Sequence, residues 1–161
     1  MTQHRTSPLV VRSPVRRVVR RVVRRLGALL LAAALAPAVQ AGADAAYADR
    51  VFAAINGYRQ SQGLEPLRVS AALTALAAEH SAAMAGQHRP SHDGFAGRVE
   101  RTSSSLCVEN VAHNFQVPET VINGWRRVST HHRNLLEPRV AFAGVAMNDR
   151  YVTFFACDLG E

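Results

Sequence analysis

The feature that most constrains this chain is an asymmetry in charge. Residues 1–41 contain eight arginines and no acid, while the remaining residues hold eleven arginines against twelve acids. The arginine-rich segment ends at Arg25 and an apolar run follows, Leu26 to Ala36, closed by Pro37. Val39-Gln40-Ala41 then offers small residues at the two positions a signal peptidase reads. That order is the order of a secretory signal peptide, with cleavage expected after Ala41. The run is shorter than the about 20 apolar residues that span a bilayer, so no membrane span is expected once the leader is removed. The formal charge of +7 belongs to the leader, and residues 42–161 carry −1. A nearly neutral remainder excludes nucleic acid as the expected partner.

What remains after the leader suits one domain with one core, residues 42–161. Export also bears on the two cysteines, Cys107 and Cys157. In an oxidising compartment an even pair points to a disulfide. It would close a loop of about 50 residues and contribute roughly 4 kcal/mol in the chain-entropy account.

Apolar periodicity divides the domain. Tyr47, Val51, Ile55 and Tyr58 make one helical stripe within Asp44 to Gln62, which Gly63 ends. Leu64 to Leu67 reads as a connector. Ser70 is the expected N-cap of a second helix over 71–85 with Gly86 at its end. Leu73, Leu76, Ala77, His80 and Met84 form its buried stripe, so His80 is expected as a core histidine with one hydrogen-bond partner, with a ligand role as the alternative. Residues 86–106 read as a long loop with one helical turn near Phe95 to Glu100. Cys107 to Ala112 reads as a short strand. Pro118 opens a helix that buries Val121, Ile122 and Trp125. Ser129 or Thr130 is the expected cap of another, through Leu136. Val140 to Met147 and Tyr151 to Cys157 read as a hairpin around Asn148-Asp149-Arg150. The expected fold class is α+β, helices packed on a small antiparallel sheet.

Three polar clusters sit in this apolar company: Ser91-His92-Asp93, Glu109-Asn110, and Trp125 followed by His131, His132 and Asn134. Imidazole and carboxylate serve both metal binding and proton transfer. They also serve a hydrogen-bonded network that pins a long loop to helices, and spacing alone does not choose. No His-Glu-x-x-His, Cys-x-x-Cys or Gly-x-Ser-x-Gly pattern is present to support a metalloprotease, a thiolate zinc site or a serine nucleophile.

Taken in order, Ser91-His92, Glu109-Asn110-Val111-Ala112, Trp125-x5-His131-x2-Asn134-Leu135-Leu136 and a terminal hairpin with Gly144 and Tyr151 resemble the CAP superfamily. Its members include cysteine-rich secretory proteins, antigen 5 and pathogenesis-related 1 proteins, and the bacterial SCP-like branch is the most similar. The resemblance covers most of 48–160. It implies an α-β-α sandwich with an open cleft, in which His92, Glu109 and His131 match the family's cleft residues. Ser91, Asn110, Trp125 and Asn134 match supporting positions. His132 falls beside the motif histidine as a flanking residue. Zinc or another divalent cation is the implied cofactor, held by His92, Glu109 and His131.

The departures from the pattern are specific. Val108 replaces a glycine, Val128 stands where many members have a second glutamate, and Phe154 stands where glutamine is common. The function expected from the resemblance is a secreted or periplasmic binding module, with an extracellular protein, a lipid or a small molecule as partner. Two alternatives use the same chain. One is a metal-assisted hydrolase with Glu109 as catalytic base. The other is a lipid or sterol carrier drawing on Phe52, Phe95, Phe115, Phe142, Phe154 and Phe155.

Overall fold

Tyr47, Val51, Ile55 and Tyr58 turn inward from a helix over residues 39–61, α1, and Val51 and Ile55 are fully buried. The computed structural model describes residues 39–159. Of the expected leader, residues 1–41, residues 1–38 lie outside the described residues, and the expected cleavage point after Ala41 falls within the first turns of α1. Gly63 adopts φ 76° in the turn that ends α1, a left-handed conformation that glycine takes without steric cost. Asn56 on α1 then clamps the main chain of Leu67, donating to its carbonyl at 3.0 Å and accepting from its N–H at 2.8 Å.

That clamp places β1, Arg68–Val69, against β3 in parallel register. The sheet is therefore mixed, which corrects the purely antiparallel sheet expected. Two residues are too short to show period-two patterning, so the sequence carries no signal for this strand between the connector at Leu64 to Leu67 and the Ser70 cap. Ser70 caps α2, Ala71–Gln87, by accepting from the Leu73 N–H. The whole stripe Leu73, Leu76, Ala77, His80 and Met84 is buried. Gly86 does not end this helix. His88 does, in a left-handed C-cap at φ 53°.

Within the long loop, α3 covers Phe95–Glu100, and β2 then runs Cys107–His113. Pro118–Arg126 forms α4 and Ser129–Leu135 forms α5. The N-cap of α5 is Val128, with no side-chain cap bond, so neither Ser129 nor Thr130 takes the capping role expected. β3, Phe142–Asn148, and β4, Tyr151–Cys157, close the chain around Asp149 and Arg150, both at positive φ as in a two-residue hairpin turn.

The strand order is β1-β3-β4-β2, with β4 antiparallel to both neighbours. β4 is central and buried throughout, and its consecutive Phe154 and Phe155, each fully buried, enter different clusters on opposite faces. α1, α4 and α5 cover the face of Phe154, and α2 and α3 cover the face of Phe155. The result is the α-β-α sandwich expected. At Gly144 the backbone of α2 comes so close to β3 that a Cβ would lie 2.1 Å from the Thr74 nitrogen. Cys107 and Cys157 face each other across β2 and β4 and form the expected disulfide, with Cα atoms 4.1 Å apart.

Candidate functional site

Alternation along β2 sends adjacent residues to different layers. Glu109 points toward α2 and α3, and Asn110 points toward α5. Both are buried. Asn110 donates to the His131 carbonyl at 3.0 Å and accepts from Asn134 at 2.9 Å. Asn134 also donates to the Glu109 carbonyl at 2.9 Å, and the Trp125 indole N–H donates to the Val111 carbonyl at 2.8 Å. The supporting residues of the sequence pattern thus fasten α4 and α5 along the outer edge of β2.

Glu109 is the centre of a second network. Arg98, from α3, donates through Nε to Oε2 at 2.8 Å and through Nη2 to Oε1 at 2.9 Å. His92 Nδ1 lies 2.8 Å from Oε1. A carboxylate facing a guanidinium accepts, so Nδ1 of His92 carries the hydrogen, and in the neutral ring Nε2 is then the acceptor. The His92 side chain is 49% exposed where Glu109 is 1% exposed. His80 donates through Nε2 to the Ser91 carbonyl at 2.7 Å, and its ring lies 3.8 Å from Glu109 Oε1. Burial holds the His80 imidazole below its ordinary pKa, with Glu109 opposing the shift. It is the core histidine expected from its stripe, and it anchors the loop that carries Ser91 and His92.

The sequence pattern did not single out Arg98. A signal was present: Phe95 and Arg98 are three apart, on one side of a short helix. Phe95 packs edge-on against Phe155 at 6.1 Å, which draws Arg98 inward to Glu109.

His131 reaches the site from the other layer. Its ring centre lies 6.1 Å from that of His92. Burial, then the neighbouring His92, lowers its pKa. His132 takes the flanking role expected, 2.7 Å from the Tyr58 hydroxyl. The three candidate residues do converge, although with different tasks. The Glu109 carboxylate is occupied by Arg98 and His92, and among the described residues no group of three or more His, Cys, Asp or Glu is arranged to share a metal ion. A cleft of about 320 Å³ opens beside them, lined by His92, Phe95, Cys107, Val108, Glu109 and Asn134.

Residues 52–159 match the family described as CAP, the cysteine-rich secretory protein family. The chain belongs to the CAP family. Over 108 residues it is 28% identical to the uncharacterized protein YkwD of Bacillus subtilis, covering 63% of this chain and 42% of that one. Its fold is similar to that of an extracellular protein containing an SCP domain from Bacillus anthracis, with TM-score 0.67, 23% identity, and 71% and 41% of the two chains covered. A cysteine-rich secretory protein from Staphylococcus aureus gives TM-score 0.66 at 18% identity, covering 71% and 39%. An outer surface protein of Borrelia burgdorferi gives 0.57 at 19%, covering 65% and 85%. These likenesses carry the fold. This CAP chain spans about two-fifths of the length of its Bacillus subtilis relative. Among its described residues no helix is long and apolar enough to cross a membrane.

Proposed function

We propose that this CAP domain is an exported binding module whose ligand sits in the cleft at the edge of β2. The observation that carries the reading is the fixed orientation of His92: its Nδ1 is held by the buried Glu109, and its half-exposed ring lines the cleft. An acceptor nitrogen presented in this way suits a cation or a hydrogen-bond donor.

A divalent cation is the first candidate. His92 and His131 would hold it and Glu109 would orient His92 from behind, as a carboxylate behind a metal-bound histidine does. With Zn–N bonds of about 2.0–2.1 Å, each ring centre would sit roughly 3 Å from a tetrahedral ion and roughly 5 Å from the other ring centre, so the present 6.1 Å separation would have to close by about 1 Å for both imidazoles to share one ion. Titration calorimetry of zinc into the protein at pH 7.5 tests this, beside His92→Ala/His131→Ala. One-site binding that the still-folded double variant loses is the expected result. No heat in either protein ends the cation reading.

Binding is favoured over hydrolysis because three hydrogen bonds engage the Glu109 carboxylate that a base would need free. Phe154 and Phe155 are fully buried in the core, which removes two of the aromatic side chains a lipid cavity would draw on. Export rests on the leader at residues 1–41 and agrees with the extracellular and outer-surface relatives. N-terminal sequencing of the exported protein, with Gly42 expected first, tests it.

A further inference from the structure

Strand β2 is an edge of the sheet, and its register fixes which of its main-chain groups face outward. The Asp158 N–H donates to the Leu106 carbonyl at 2.9 Å, and the Asn114 N–H donates to the Arg150 carbonyl at 3.1 Å. These two bonds flank the β2–β4 ladder. Cys107, Glu109, Val111 and His113 therefore form the non-hydrogen-bonded pairs with β4 and turn their N–H and C=O groups away from it.

Helices α4 and α5 plug part of this edge. Asn134 takes the Glu109 carbonyl and Trp125 takes the Val111 carbonyl. Upstream of those plugs, register turns the Cys107 N–H and C=O and the Glu109 N–H outward, and these two residues form part of the cleft wall. The opposite edge, β1, is only two residues long. A protein that shortens one edge and plugs part of the other has managed its edges, since unpaired strands otherwise recruit other chains. The open length left at the cleft stands out against that management.

We propose that an extended peptide segment pairs with β2 at Cys107–Glu109, adding a short fifth strand in the cleft. An extended backbone offers N–H and C=O in the alternation these three groups require, in either direction, and this mode of recognition draws its affinity from the main chain. Side-chain preference follows from the walls. A peptide residue opposite Cys107 faces the Phe95 and disulfide side and is apolar. Its neighbours face Val108 and Asn134, on the α5 side. The proposal rests on the cleft being a binding site and does not require the cation.

The test uses the full chain and a random heptapeptide display library as probe. Each selected peptide is then remade with two patterns of N-methylation, one at residues whose N–H faces β2 and one at the residues between. Methylation facing β2 is expected to weaken binding by about fivefold for each main-chain bond lost, while the other pattern is tolerated. Amide resonances of Cys107 and Glu109 are expected to shift. Equal sensitivity to both patterns, or shifts confined to other strands, overturns strand pairing. Zinc titration of the same preparation separates the two ideas. A protein that binds zinc through His92 and His131 but retains no peptide overturns strand pairing and leaves the cleft as a cation site. One that binds neither overturns both.

Discussion

On the face of the sheet covered by α1, α4 and α5, one apolar cluster runs from Ala48 and Val51 through Trp125 and Leu135 to Phe154. On the face covered by α2 and α3 the apolar contacts break into two smaller clusters, and buried polar groups lie among them. Arg98, Glu109 and His80 form one such group; Ser81, which donates to Thr153 at 2.9 Å, forms another. The first face is held mostly by non-directional burial that tolerates volume-conserving exchange, with Arg59 and Asn110 as buried donors to the Leu135 and His131 carbonyls. The second depends on directional bonds, each of which leaves an unpaired partner when broken. The cleft lies where the second face reaches the edge of β2, so the proposed ligand site borders the more demanding half of the molecule.

Breaking the second face at its charge pair gives the largest expected effect. Arg98→Leu strands a buried carboxylate and is expected to cost about 3–5 kcal/mol, read by urea unfolding. The double variant Arg98→Leu/Glu109→Leu removes both charges and is expected to lose much less. Equal losses in the two variants would mean that the pair matters only through its volume.

Next comes the disulfide that closes the β2–β4 ladder beside the cleft. Replacing Cys107 and Cys157 by alanine is expected to cost about 2–4 kcal/mol, read by thermal unfolding without reductant. A smaller effect, about 1–3 kcal/mol, is expected for Gly144→Ala, because the added methyl meets the α2 backbone. An Ile122→Val change on the other face should cost only about 0.5–1.5 kcal/mol and sharpens the contrast between close fit and bulk burial.

The smallest effect is with pH. His80 and His131 are both held below the ordinary histidine value of 6.5, chiefly by burial. The folded state therefore resists protonation that the unfolded chain accepts. Their contribution to stability is complete above that value and is lost as pH falls below it. Melting temperature should drop on acidification from pH 7, and His80→Gln, which keeps a donor for the Ser91 carbonyl, should flatten that drop. An unchanged slope in His80→Gln would remove His80 from the explanation.

Much of this was legible in the chain because the signals were local. The stripes of α1 and α2, the Ser70 cap, the turn of helix at Phe95–Glu100, the hairpin and the cysteine pairing are all present as expected. β1 was not legible, because its pairing depends on the Asn56 clamp, eleven residues upstream of Leu67. The residues of the site were legible as types in order, Ser91-His92, Glu109-Asn110 and Trp125 to Asn134. Their tasks were not. His92 faces the cleft because Glu109 holds its other nitrogen, and Glu109 is engaged because Arg98 swings in with Phe95.

By itself the sequence determined the helices and the three seven-residue strands, which faces are apolar, and the family to which the chain belongs. Periodicity and capping act over a few residues, and a short motif keeps its residue types wherever it lands. Only the tertiary structure decided that Glu109 pairs with Arg98, that His131 crosses from the other layer to stand near His92, and that β2 turns the main-chain groups of Cys107 and Glu109 away from β4 at the cleft. Those facts depend on the register between β2 and β4 and on how α3 and α5 pack beside the strand, and neither is a property of any segment alone.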